Sequence, residues 1–412
     1  MRKRIVILGA GTGGTLVANR LRRLHPEDSA EIVVIDQDDE HVYQPGLLFL
    51  PFGPAEAGDL VRSRHGRLRR GVEFRQAPID RVETGAQRVV LGDGRTVGYD
   101  VLVIATGAVL LPEETEGLTG PGWGEKVCTF YDLQGALALR AALARFAGGR
   151  LVVAVVDMPI KCPVAPLEFA FLADWHLRRR GLRERVELTY VTPLDAAFTR
   201  PVAAGALAGL LADKGVGLVT EFGTAAVDGP GGRLVSYDER EVGFDLAVVV
   251  PAHGGAAYVG RSPGLGDELN FVPVDRHTLQ AAAAPDVFAL GDAAGVPTSK
   301  AGSVAHFEGA AVVENVTRVL AGRPPAARFD GHANCFVETG HGKALLLDFN
   351  YDTEPLPGRY PWAAAGLPLL KQSRLNHLGK RAFPWLYWHA LLPGRDLPGI
   401  GADMPVHGKK GR

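Results

Sequence analysis

Apolar and polar positions fall into short blocks along the chain. Arg4-Ile5-Val6-Ile7-Leu8 is a nearly continuous apolar run of the kind that forms a buried parallel strand, and from Thr15 apolar residues continue at helical spacing. The same kind of run recurs at Glu31 to Ile35, Val101 to Ala105, Leu151 to Val156, Val186 to Val191 and Val287 to Leu290. Strand-length runs alternating with helix-period segments predict an α/β architecture with parallel sheets. Val72 to Ile79, Arg88 to Leu91 and the turn from Leu91 to Thr96 add shorter strands with a hairpin.

The first run enters Gly9-Ala10-Gly11-Thr12-Gly13-Gly14 before the helix. Gly9 permits a tight turn, Gly11 lets the backbone approach a pyrophosphate, and Gly14 allows close helix–strand packing while the helix N-terminus faces the phosphates. Asp36 ends the next run, where a carboxylate accepts hydrogen bonds from an adenosine ribose. Two later strand ends, Thr106-Gly107 and Gly291-Asp292, resemble in this order the strand ends that lie against FAD in two-dinucleotide-domain flavoproteins, and the resemblance implies that Asp292 contacts the ribityl chain or phosphate. The predicted fold is α/β, with two Rossmann-like FAD/NAD(P)-binding-type units and a C-terminal region. Residues 1–150 and 251–330 form the FAD unit, 151–250 the second unit, and 331–412 a quinone and membrane-association region.

The second unit breaks the pattern. Its first strand runs into Asp157-Met158-Pro159-Ile160-Lys161-Cys162-Pro163-Val164-Ala165-Pro166-Leu167-Glu168, without a glycine, and the next strand ends in Thr192-Pro193 rather than an acid. Prolines lack an N–H, so this turn forms no cradle of amides around a pyrophosphate, and a nicotinamide site is not expected. Cys162 instead stands where open α/β sheets place their ligands, and a helix starting at Ala165 or Pro166 is expected to lower its pKa. Glu168 falls in the first turns of that helix, as a proton-moving carboxylate or as one that compensates the helix dipole. The chain holds only Cys128, Cys162 and Cys335, too few for a secreted disulfide framework. His332, Cys335 and His341 lack the paired spacing of a zinc site, and no metal is expected.

A net charge of -1 over 412 residues gives no global field for nucleic acid. The basic Met1-Arg2-Lys3-Arg4 start leads into the glycine turn, not into an apolar segment with a cleavage site, so no export signal is expected. No run is long enough for a membrane-spanning helix. Beyond Pro361, however, three of the five tryptophans occur between Trp362 and Trp388, an enrichment suited to the headgroup level of a bilayer. Lys371, Arg374, His377 and Lys380 recur every third residue, which predicts a basic stripe facing anionic lipid.

The FAD motifs, His41-Val-Tyr-Gln-Pro-Gly-Leu-Leu48, Lys161-Cys162-Pro163, Cys128 and the aromatic C-terminal segment together resemble the sulfide:quinone oxidoreductases, with flavocytochrome sulfide dehydrogenase as a close relative. The resemblance implies that Cys162 and Cys335 form a redox pair, joined directly or through extra sulfur, which hydrosulfide attacks to leave a persulfide and a free thiolate. It implies that Cys128 handles polysulfide or bonds to the flavin, and that Lys300 stabilises negative charge on the reduced ring. The electrons then leave FAD for a membrane quinone, with Phe336 and Tyr351 as candidate stacking groups. Many members carry a histidine between the positions of Thr192 and Pro201; this chain has none there. The expected partners are hydrosulfide, a membrane quinone and a membrane surface met as a peripheral, monotopic protein, with a homo-oligomer left open. If the tail serves only the acceptor, removing residues 383–412 spares reduction of the flavin. Two other readings remain open: a type II NADH dehydrogenase or another pyridine-nucleotide flavin reductase, and a noncatalytic FAD-binding redox subunit of a cytochrome complex.

Overall fold

A computed structural model describes residues 2–53, 56–396 and 400–409. Met1 of the basic start and 397–399 and 410–412 of the expected tail lie outside the described residues. The chain opens with β1 (Lys3–Leu8), α1 (Thr12–Leu24) and β2 (Ala30–Asp36), followed by β3 (Val72–Gln76) and β4 (Val101–Ile104). It then crosses to β5 (Val127–Cys128), β6 (Gly149–Val155), α2 (Ala165–Arg179), β7 (Val186–Val191), β8 (Gly217–Val219) and β9 (Leu246–Val250). It returns through β10 (Val287–Ala289) and α3 (Gly302–Leu320), and continues into the hairpin of β11 (Ala333–Gly340) and β12 (Lys343–Phe349) and the helix α4 (Arg374–Leu386).

Two five-stranded sheets result, ordered β10-β4-β1-β2-β3 and β5-β9-β6-β7-β8, and parallel throughout. The apolar runs are continuous because each strand is covered on both faces: Ile5 and Ile7 pack into one core cluster, Val6 and Leu8 into another. Val6 pairs with Val33 on one side and Leu102 on the other; Val153 pairs with Tyr190 and Val248. Strand order reverses at β1 and again at β6. The turns that leave these strands are therefore switch-point crevices, where such sheets hold ligands.

Ala108–Leu110 pairs antiparallel with His253–Gly255, so the chain crosses between units there. The outward crossing precedes β5 and the return follows β9, because both strands belong to the second sheet. Two residues of strand are too short to register as a periodic run. The hairpin strands expected after β3 form a separate antiparallel sheet of Ile79–Glu83, Arg88–Leu91 and Thr96–Gly98.

Among the described residues no helix is long and apolar enough to cross a membrane. The helix α4 starts at a capping Ser373 hydroxyl, which accepts from Asn376 N at 3.0 Å, and packs against β12. Only Asn376 of this helix is fully buried, whereas Leu375, Leu378 and Trp385 are 46%, 59% and 67% exposed. Past Pro384 the helix widens into one π turn, Tyr387–Leu391, which turns back into the core.

Candidate functional site

The glycine turn has the geometry its sequence requires. Gly9 lies at φ +92°, and a Cβ there would sit 2.5 Å from Ala105 O; a Cβ on Gly14 would sit 1.8 Å from Gly9 O. Both must be glycine for β1, β4 and α1 to approach as they do. Gly11 is different, with nothing within 4 Å of its Cβ direction. The α1 N-terminus behind it has no side-chain cap and no acid in its first turn, which leaves amides for an anion. Gly107, at φ +73°, faces the same kind of open space. Uncapped amides, open glycines and Asp36 together fit a bound dinucleotide such as FAD.

Asp36 is held ready from two sides: Oδ2 accepts from Ala10 N at 2.6 Å and meets the Arg64 guanidinium. Gly291 N donates to Glu308 Oε2 at 2.5 Å, and burial pushes the Glu308 carboxyl up to about 8. Asp292 is raised by burial and opposed by Lys300 and Lys161. The Lys300 ammonium donates to the carbonyls of Asp292 at 2.9 Å and Ala294 at 3.0 Å and lies 4.0 Å from the centre of the Phe271 ring.

Lys300 also joins the units through its backbone, since its carbonyl accepts from Cys162 N at 2.6 Å. Cys162 sits just before α2, at φ +49°, where a non-glycine residue is strained, and Tyr131 OH donates to its carbonyl at 3.2 Å. Cys335 comes from β11, which packs against α2, and Cys162 is among the groups that push its thiol up, after burial. The two sequence-predicted cysteines are thus brought together, and both stand as thiols. The expected depression of the Cys162 pKa is not observed. Burial pushes its thiol up to about 12, the Glu168 carboxylate adds to the rise, and Lys380 only partly opposes it. The largest cause of the rise is desolvation of the thiolate.

Cys128 is buried on the edge strand β5, with its thiol 3.8 Å from Glu125 O. The charges that act on it are Arg145 and Glu125, and burial pushes it up to about 12.

Glu168 is buried on α2, and burial raises its pKa. Its Oε1 accepts from Glu338 N at 2.6 Å and from the Lys380 ammonium. Lys380 also donates to Phe336 O at 3.2 Å, and His377 Nδ1 lies 2.9 Å from Glu338 Oε1. This corrects the basic stripe: His377 and Lys380 turn inward to buried carboxylates, and of the four only Lys371 and Arg374 stay exposed. The reason is that α4 covers the β11–β12 hairpin, which brings Lys380 to Glu168 on α2 and His377 to Glu338 on β11.

Phe336 packs with Leu346, Tyr360, Leu367 and Leu369, whereas Tyr351 lies against Phe329, His277 and Arg276. The two do not share one stacking site. His332 pairs with Asp348 at 2.8 Å, and His341 is exposed in the hairpin turn. Among the described residues no group of His, Cys, Asp and Glu is arranged to hold a metal. A cavity of about 480 Å³ lined by Glu73, Arg75, Gln76, Ala77, Leu91 and Arg95 opens at the edge of the first sheet, and no cysteine lines it.

Sequence reading missed a second network at the glycine turn. His41 Nδ1 lies 3.2 Å from Ala10 O and Nε2 2.6 Å from Tyr387 OH, which is 2.7 Å from Thr12 Oγ1. Asn19 adds a bond to Leu392 O at 2.8 Å. The C-terminal segment is therefore part of the cofactor turn's support, contrary to the expectation that it serves only the acceptor. Arg64 and Glu308 had no local signal either; each is recognisable only by its partner across the fold.

Residues 3–156 match the pyridine nucleotide-disulphide oxidoreductase family. The mitochondrial sulfide:quinone oxidoreductase of Mus musculus is 24% identical over 95% of this chain and 86% of its own length; that of Dictyostelium discoideum is 26% identical over the same shares. The X-ray structure of the sulfide:quinone oxidoreductase of Aquifex aeolicus superposes with a TM-score of 0.80 at 21% identity, covering 95% of this chain and 92% of that one. Over nearly its whole length the chain is similar to sulfide:quinone oxidoreductases, and it shares the fold of the Aquifex aeolicus enzyme.

Proposed function

We propose that the protein oxidises hydrosulfide to polysulfide or elemental sulfur at Cys162 and Cys335 and delivers the electrons to a membrane quinone. The observation that carries this reading is the placement of Cys162: it replaces the second glycine turn at a switch point and is hydrogen-bonded to the Lys300 backbone, beside Asp292 of the dinucleotide unit. FAD, held by Gly9, Gly11, Gly14, Asp36, Thr106, Gly107, Gly291 and Asp292, supplies two-electron acceptance and return. The chain's own part is to hold two thiols from different elements together, to keep Glu168 buried beside them, and to fix Lys300 at the strand end. In the oxidised pair, hydrosulfide attacks one sulfur, the S–S bond breaks, and the second cysteine leaves as a thiolate. The tight, proline-rich turn with Glu168 in the first helical turn offers no anion cradle for a pyridine nucleotide.

The acceptor and the membrane belong to the same reading. The exposed face of α4, with Leu375, Leu378 and Trp385 beside Arg374 and Arg381, has the composition of an interfacial helix that lies on a bilayer. Phe336 and Tyr351 remain candidates for quinone contact singly, not as a pair. Anaerobic addition of sulfide is expected to bleach the flavin band near about 450 nm, a chromophore property, and a soluble quinone to restore it. Bleaching by NADH and not by sulfide would replace this reading with a pyridine-nucleotide reductase.

A further inference from the structure

The buried carboxylate Glu168 does not end at its ion pair with Lys380. The cluster opens to solvent chiefly at one end: side-chain exposure is 2% at Glu168, 13% at Lys380 and 3% at Glu338, and 26% at His377. Every member has a partner in the cluster: Lys380 on Glu168, and His377 Nδ1 at 2.9 and 3.1 Å from the two oxygens of Glu338. Lys380 is also the cation acting most strongly on Glu338. At the inner end, Glu168 acts on both Cys162 and Cys335. The remaining groups facing the cluster are Arg381 on α4 and the phenols of Tyr43 and Tyr131. A pair that only tied α4 to the hairpin would need one cation and one carboxylate. Here two carboxylates, a lysine and a partly exposed imidazole run from the thiols toward the surface.

We propose that Glu168, Lys380, Glu338 and His377 form a proton path between the cysteine pair and solvent, with His377 as its outer port. The path rests on the sulfide-oxidising reading and supplies the proton route that the missing loop histidine between Thr192 and Pro201 leaves vacant. Once hydrosulfide has bonded to a cysteine sulfur, the S–H bond of Cys–S–SH breaks. Its proton goes to a Glu168 oxygen, and the bonding pair stays on sulfur as Cys–S–S⁻. Lys380 gives a proton to Glu338 and is refilled from Glu168, and one proton leaves His377 for water for each that enters. No electrons move in this step. Burial raises both carboxylates, which suits groups that must hold a proton transiently. Glu168 is the group nearest the chemistry; Lys380, Glu338 and His377 act through it.

The test uses the FAD-loaded full chain with sulfide and a water-soluble quinone. His377→Ala opens a space that imidazole reaches from solvent; it is expected to lower turnover about tenfold or more, to change the pH profile, and to recover most of the loss when imidazole is added. Glu338→Gln keeps size and a hydrogen-bond partner and is expected to lose as much without recovery by imidazole. Wild-type rates in both variants overturn the path. So does a loss with an unchanged pH profile and no imidazole rescue, which marks a structural tether. If sulfide fails to bleach the unmodified holoenzyme, the underlying reading falls and the path falls with it; bleaching of the unmodified enzyme with unaffected variants removes the path alone.

Discussion

His41 and Tyr387, 346 residues apart, share a hydrogen bond of 2.6 Å beneath the glycine turn. The partners fix the protons. Ala10 O can only accept, so His41 Nδ1 carries the hydrogen; Nε2 then accepts from Tyr387 OH, which in turn accepts from Thr12 Oγ1. This assignment needs a neutral ring, and burial pulls the His41 pKa down to about 4. Tyr387→Phe leaves Nε2 buried without a donor, at a cost of about 1–3 kcal/mol, and frees Thr12 at the mouth of the cofactor turn. Thermal melting and the flavin-to-protein absorbance ratio should both fall. Because the folded pKa lies below the ordinary value near 6.5, the folded chain binds fewer protons than the unfolded one between these values. The associated stability is complete above pH 6.5 and is lost as pH falls toward 4, by up to about 1.4 kcal/mol per pH unit. In urea unfolding, the stability advantage of the wild type over His41→Asn should shrink across that window and hold constant above it.

Removal of residues 383–412 takes away Tyr387, the Leu392 carbonyl that accepts from Asn19, and the Pro393 carbonyl that accepts from Arg23 at 3.1 Å. All three support α1 or the turn before it. The truncated chain is therefore expected to purify with little FAD and to resist reconstitution. A truncated protein that keeps its flavin and is bleached by sulfide at the normal rate would show that this docking is dispensable.

Local backbone chemistry was legible in the sequence; partnership across the fold was not. Gly14 could be assigned because a strand–turn–helix junction leaves no room for a Cβ against Gly9 O, a constraint met within six residues, and Gly9 because the tight turn takes a positive φ. Cys162 could be placed because strand order fixes where a switch-point turn lies. Lys380 was misassigned because its three-residue spacing from His377 and Arg374 suggests a solvated stripe, and nothing near it in sequence shows that Glu168 waits on the other side. Tyr387 was lost in the same way among aromatics that suggest a bilayer. The Cys162 thiol departs from expectation for a related reason: the helix N-terminus is local, while the burial that raises the thiol is made by the tertiary fold.

The cysteines are expected to separate by role. Cys162→Ser and Cys335→Ser should each slow bleaching by sulfide more than about a thousandfold while leaving FAD bound, because neither thiol touches the glycine turn. Cys128→Ser should be milder, since the groups acting on Cys128 are Arg145 and Glu125. Stopped-flow absorbance on flavin-loaded variants checks all three.

The exposed face of α4 makes a separate prediction. Leu378 and Trp385 are 59% and 67% exposed and make no core contact that a polar side chain would destroy. The double variant Leu378→Glu/Trp385→Glu is expected to bind anionic vesicles about a hundredfold more weakly, from about 1.5 kcal/mol or more for each apolar side chain kept out of the bilayer. Reduction by sulfide should persist. Unchanged vesicle binding in a sedimentation assay would assign this face to something other than lipid.

Glu168 and Lys380 give the sharpest stability test. The pair is nearly closed to solvent, so its gain over two solvated ions is small, but losing one partner strands the other. Lys380→Met leaves the Glu168 carboxylate with the Glu338 amide alone, and the expected loss is about 3–5 kcal/mol at pH 8. Without the ammonium, the force that raises the Glu168 pKa acts with less opposition, so the folded state binds a proton more readily than the unfolded one. The loss should therefore lessen as pH falls and Glu168 becomes neutral. Adding Glu168→Gln, which removes the charge and keeps an acceptor for Glu338 N, should restore most of the stability at pH 8. Urea unfolding of the two variants at pH 8 and pH 5.5 decides the matter. A loss that is the same at both pH values and is not relieved by the second substitution would mean that the Lys380 chain matters through its packing over Phe49, 5.5 Å from the ring centre, and not through its charge.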